Sequence, residues 1–117
     1  PFAPAVLESE LRKWFGGGAA LSPYMLFNFE VLSDEIPAVT HIDNSARVQT
    51  VNKSNGNFFN LIKEFKELTG VPIILNTSFN GPGEPIVESP SDAITFFLES
   101  DLDVLYLEHF RVRKKNL

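Results

Sequence analysis

The chain contains no cysteine, so a disulfide framework, a thiolate nucleophile and a thiolate zinc site are excluded within it. Two histidines are too few for a metal site built from imidazole alone. Basic residues are the minority: ten Lys and Arg against fifteen Asp and Glu leave a formal net charge of −5, which gives no electrostatic footprint for nucleic acid. The one basic cluster, Arg111 to Lys115, reads as a solvated terminus. No apolar run reaches the ~20 residues that a membrane helix needs, and no stretch reads as a signal peptide. Also missing are the GxxxxGKS/T and GxGxxG phosphate loops, the HExxH zinc helix and the GxSxG nucleophile elbow. The expectation is a cytoplasmic protein that binds no nucleic acid, no membrane and no metal through this chain.

What remains is an ordinary folding sequence. With 44% hydrophobic and 21% charged residues over 117 positions, the chain predicts one domain with a modest core. It opens Pro1-Phe2-Ala3-Pro4 without Met, which predicts a fragment of something longer. The stretch Leu75 to Val87, LNTSFNGPGEPIV, holds the most chemistry. Val71 to Leu75 is short, β-branched and preceded by Gly70, the pattern of a buried strand. Asn76, Thr77, Ser78 and Asn80 then crowd hydrogen-bonding groups into five positions, before the turn residues Gly81-Pro82-Gly83. Polar groups directly after a buried strand suit a ligand cleft, because open α/β sheets bind ligands at strand ends.

In order along the chain, Val6, Leu7, Leu11, Trp14 and Phe15 recur at helical spacing, predicting an amphipathic helix from Pro4 to Phe15 that Gly16-Gly17-Gly18 ends. Tyr24 to Val31 alternates, with Met25, Phe27, Phe29 and Val31 on one face, and predicts a strand. Ile36 to Ile42 and Ala46 to Val51 predict a hairpin turned at Asp43-Asn44-Ser45, with His41 and Arg47 near the turn. Phe58, Leu61, Ile62, Phe65 and Leu68 form a helical stripe, with Asn57 as N-cap and Gly70 as C-cap. Ser89-Pro90 opens a last helix, with Asp92 completing a near capping box. Val104 to Leu107 is another strand, which Phe110 to Val112 extends or follows. The fold class is therefore α/β, with α+β the alternative: a mixed β-sheet with helices packed on it.

At this point four motifs acquire a family. SPYM (Ser22 to Met25), PAVTHIDNSARVQTV (Pro37 to Val51), TGVPIILNTSFNGPGEPIVESPSDA (Thr69 to Ala93) and LDVLYL (Leu102 to Leu107) occur in order. Together they closely resemble the C-terminal domain of the O-carbamoyltransferases, which carbamoylate nodulation factors and several antibiotics. The resemblance implies a fold similar to threonylcarbamoyl-adenylate synthase domains and a missing N-terminal domain of the same polypeptide, the place where Fe²⁺ is expected. It implies that this domain takes carbamoyl phosphate and ATP with Mg²⁺, forms carbamoyl-adenylate, and passes it on to an acceptor hydroxyl. By motif, Arg47 and Ser78 are the implied catalytic residues and Met25 borders the same pocket; His41, Asn76 and Asn80 complete the implied binding set.

The chemistry of these side chains suits the ligand. A guanidinium fork such as that of Arg47 matches phosphate oxygens, and arginine with Mg²⁺ stabilises charge on a transferring group. Ser78 and Asn80 offer neutral donors, Asn76 an amide complement to the carbamoyl group, and Met25 an adaptable apolar wall. Glu84 has two readings, a carboxylate for a phosphate-bound Mg²⁺ or a loop-pairing residue. The family's lysine-bearing segment would precede Pro1, so the isolated chain is expected to be inactive. Two other readings are a non-catalytic ligand-binding or docking module of the same fold, and a threonylcarbamoyl-adenylate synthase. The sequence predicts that Arg47 and Ser78 converge on one anion.

Overall fold

Eight short strands and three α-helices occur among the described residues, in the order β1 (Ala3–Leu7), α1 (Leu11–Trp14), β2 (Phe15–Gly16), β3 (Asn28–Val31), β4 (Ser45–Arg47), β5 (Gln49–Val51), α2 (Asn57–Thr69), β6 (Ile73–Asn76), α3 (Pro90–Glu99), β7 (Val104–Leu107) and β8 (Phe110–Arg113). The computed structural model describes residues 2–115. They fall into two compact units, Pro1–Thr77 and Ser78–Leu117.

The first unit is built around β1. This strand runs parallel to β5 and antiparallel to β6, so the three form a mixed sheet in the order β5-β1-β6. The predicted mixed sheet with helices is thus present, and the arrangement fits α+β. Here the predicted helix from Pro4 to Phe15 is corrected: Ala3–Leu7 is extended, and α1 is only Leu11–Trp14. All five β1 residues are buried, because the strand is covered on both faces. Val6 packs with Leu11, Trp14, Phe15, Phe29 and Ile73, while Ala5 and Leu7 pack with Val51 and Ile62. A strand buried on both faces loses its two-residue alternation, and the sequence then offers only a spacing that imitates a helix. Pro4 is tolerated because β5 begins opposite Ala5, leaving Pro4 with β6 as its one strand neighbour.

A second sheet of this unit runs β2-β3-β4, antiparallel throughout. The predicted strand from Tyr24 is shortened to Asn28–Val31, since Pro23 to Met25 turn and Met25 takes a left-handed φ of 55°. The predicted hairpin between Ile36 to Ile42 and Ala46 to Val51 does not form. Pro37 opens a 3-10 turn, Pro37–Val39; β4 pairs instead with β3, and β5 with β1. The polar turn itself survives, with the His41 N–H donating to Ser45 O at 2.8 Å and the Asn44 N–H to His41 O at 2.9 Å. Phe15 and Phe29 meet edge to face, with centroids 6.5 Å apart.

Helix α2 ends as predicted, at Gly70 with φ 79°. Its N-cap is Gly56 rather than Asn57, because Asn52 and Asn55 cap a preceding 3-10 turn, Lys53–Asn55. Ile62 is its fully buried residue, set against Ala5, Leu7 and Val51. Lys66 on α2 pairs with Glu10.

In the second unit, Ser89 caps α3 by accepting from the Asp92 N–H at 3.1 Å. Strands β7 and β8 form an antiparallel hairpin closed by Glu108 and His109. Ala93 and Phe97 of α3 pack with Leu105, and Phe79, Val87, Leu107 and Val112 join them.

Candidate functional site

The polar turn delivers Arg47 to a strand end. Asp43 accepts from the Ser45 hydroxyl at 2.6 Å and from the Ser45 N–H at 3.1 Å. The hydroxyl bond, then the backbone bond, holds the Asp43 carboxyl below the usual carboxylate range. Asn44 sits at φ 63°, a left-handed conformation that Asn adopts more readily than most residues. Its side-chain amide donates to Val31 O at 3.0 Å. These bonds fix the entry into β4, three residues long, and Arg47 is its last residue.

Register then sets the neighbours. Arg47 stands opposite Asn28, the first residue of β3. Both line a cavity of about 220 Å³ together with Phe2, Ala3 and His41. Arg47 is exposed and His41 half-buried. Among the described residues, the only ion pair is Lys66 with Glu10, so the Arg47 guanidinium carries no carboxylate partner there. A cationic fork, an imidazole, an amide and an aromatic ring border this one small cavity, and a guanidinium fork is geometrically matched to carboxylate or phosphate oxygens. Its volume is below the roughly 300–1,000 Å³ that encloses drug-sized ligands.

Asn76 closes β6 opposite Ala3, itself a wall of this cavity. Its side-chain N–H donates to Gln49 Oε1 at 2.7 Å, which bridges the ends of β6 and β5 across β1. Met25 lies in the turn before β3, half-buried, and is not among the cavity's lining residues. Ser78 and Asn80 belong to the second unit. Ser78 is exposed in an irregular segment. Asn80 holds its own loop, donating to Gly81 O at 3.1 Å and to Glu84 O at 3.1 Å. Glu84 lines a separate cavity of about 250 Å³ with Asp92, Thr95, Phe96 and Glu99.

The structure therefore brings His41 and Arg47 together, with the strand carrying Asn76 beside them. It adds two residues that sequence reasoning missed, Phe2 and Asn28. Asn28 was legible only as a polar residue on the outer face of a strand. Its place beside Arg47 depends on the β3–β4 register, which no local pattern announces. Phe2 was hidden by the expectation of a helix beginning at Pro4.

No helix of the described residues is long and apolar enough to cross a membrane. The family model for the carbamoyltransferase C-terminus matches residues 1–114. The chain is 46% identical to nodulation protein NolO of Bradyrhizobium diazoefficiens, the match covering 98% of this chain and 22% of that protein. It is 42% identical to nodulation protein NolNO of Sinorhizobium fredii, over 98% of this chain and 18% of that protein. Nodulation protein U of Sinorhizobium fredii matches at 37% identity over 80% of this chain and 17% of its own length. The chain thus spans about a fifth of the length of these curated relatives. With the matched region covering nearly every residue, including the turn that carries Arg47 and the segment from Asn76 to Asn80, the chain belongs to the carbamoyltransferase C-terminal family.

Proposed function

We propose that this chain is the part of an O-carbamoyltransferase that binds carbamoyl phosphate and ATP and forms carbamoyl-adenylate for an acceptor hydroxyl. The observation that carries the reading is the cavity where His41 and Arg47 meet. Arg47 holds phosphate oxygens through its fork of N–H donors. His41 supplies a further ring donor. The cavity suits carbamoyl phosphate by size; an adenine nucleotide needs more wall than these five residues offer. Met25 contributes an apolar contact for the nucleotide in this reading.

The balance of the reaction is simple. Carbamoyl phosphate, ATP and one water give carbamoyl-adenylate, phosphate and pyrophosphate. Each step displaces an oxygen leaving group from carbon or phosphorus, so positioning and charge stabilisation supply the catalysis and no side-chain nucleophile is required. Among the described residues no group of three or more His, Cys, Asp or Glu is arranged to hold a metal. Mg²⁺ enters this reading on the ATP phosphates, as part of the substrate. In this reading the reaction is cytoplasmic, and the N-terminal part of the longer relatives corresponds to the partner that receives the adenylate.

Carbamoyl-phosphate-dependent exchange of pyrophosphate into ATP, measured in the full polypeptide, tests the reading. Exchange that requires carbamoyl phosphate and falls in Arg47→Ala supports it. Exchange that requires threonine and bicarbonate instead overturns it.

A further inference from the structure

We infer that Asn28 reads the carbamoyl end of the ligand and makes the cavity select a carbamoyl over an acyl phosphate. The inference rests on the carbamoyl-phosphate reading above. Sequence reasoning gives the amide's role to Asn76, but one N–H of the Asn76 amide is already donated to Gln49 Oε1 at 2.7 Å, which ties the group to the end of β5. Among the described residues, Asn28 has no such commitment. It is exposed, it lines the cavity with Arg47, and its side chain forms none of the hydrogen bonds that tie Asn44, Asn52, Asn76 and Asn80 to their surroundings.

Register makes the pairing specific. Asn28 and Arg47 are directly opposed on antiparallel strands, so their side chains leave the same face of the sheet with Cβ atoms about 5 Å apart. One is a fixed cation and the other a neutral group with a donor and an acceptor in one plane. Carbamoyl phosphate has the matching halves: a dianionic phosphate for the guanidinium, and a planar amide whose C=O accepts and whose NH₂ donates. An amide facing an amide makes two hydrogen bonds. Acetyl phosphate keeps the phosphate and the carbonyl but replaces NH₂ with CH₃, which leaves the Asn28 Oδ1 without its donor. A site arranged to hydrogen-bond an N–H discriminates against the analogue lacking it.

The test is calorimetric titration of the full polypeptide with three probes: carbamoyl phosphate, acetyl phosphate and inorganic phosphate. The unaltered protein is expected to prefer carbamoyl over acetyl phosphate by about tenfold, the loss that one unmade hydrogen bond produces. Asn28→Leu removes the hydrogen-bonding groups at similar size. It is expected to erase the preference by weakening carbamoyl phosphate alone, with inorganic phosphate held within about twofold; that probe also reports that the variant is folded. A preference that survives in Asn28→Leu overturns the inference, as does a parallel weakening of all three probes. If Arg47→Gln binds carbamoyl phosphate as well as the unaltered protein does, the carbamoyl-phosphate reading itself fails, whatever Asn28 does.

Discussion

Arg47 ends a strand of three residues whose position depends on a polar turn before it. Loosening that turn is therefore expected to displace Arg47 from the cavity that it lines. Asp43 is the first handle. Its carboxyl is lowered by the native bonds from Ser45, so ionised Asp43 supports the turn above the ordinary carboxylate range of about 4. That support is lost as pH falls through the lowered value. The protection of the Asn44 and Ser45 amides, taken as the intrinsic exchange rate over the observed rate at the same pH, is predicted to fall on acidification below about pH 4, and Asp43→Asn is predicted to abolish this pH dependence. Asn44 is the second handle. Asn44→Ala removes the bond to Val31 O and leaves a β-carbon at φ 63°. A loss of about 2 kcal/mol in denaturant unfolding is predicted. Retention of full stability would mean that the turn is held by something other than these bonds.

At the scale of elements, legibility followed how each element is covered. Helix α2 was readable because one side is wet: Lys63, Glu64 and Glu67 are exposed while Ile62 is buried, and Gly70 marks its end with φ 79°. Gly70→Ala is predicted to cost about 1 kcal/mol, since a β-carbon is disfavoured in the left-handed conformation. Ile62→Ala should cost about 3 kcal/mol by opening a cavity between α2 and β1. Urea unfolding checks both, and a cost below about 1 kcal/mol at Ile62 would show that α2 is not anchored there. Helix α3 was readable from Ser89 and Pro90 for the same local reasons. Strand β1 was not, because burial on both faces removes the alternation that identifies a strand. The predicted hairpin failed at long range, as β4 and β5 chose partners distant in sequence, β3 and β1. Gly18 was legible only as a breaker. It lies at φ 66°, and a β-carbon there would come 2.6 Å from the Phe29 ring, a closeness that no sequence pattern expresses.

At the scale of the whole molecule, the family was legible from motifs spread across nearly the entire chain, and the match over residues 1–114 bears this out. The geometry of the site was legible in part. Arg47 and His41 line one cavity together with Asn28, while Asn80 is occupied in holding its loop. The chain spans about a fifth of its curated relatives, and adenylate formation is proposed to need groups beyond it. The 117-residue chain alone is accordingly predicted to show no carbamoyl-phosphate-dependent ATP–pyrophosphate exchange. The most direct measurement is carbamoyl transfer by the full polypeptide carrying Arg47→Ala, with folding verified by its unfolding curve. The account predicts a loss of well over tenfold, more than about 1.4 kcal/mol of transition-state stabilisation. A folded variant that keeps transfer within tenfold of the unaltered protein would contradict it.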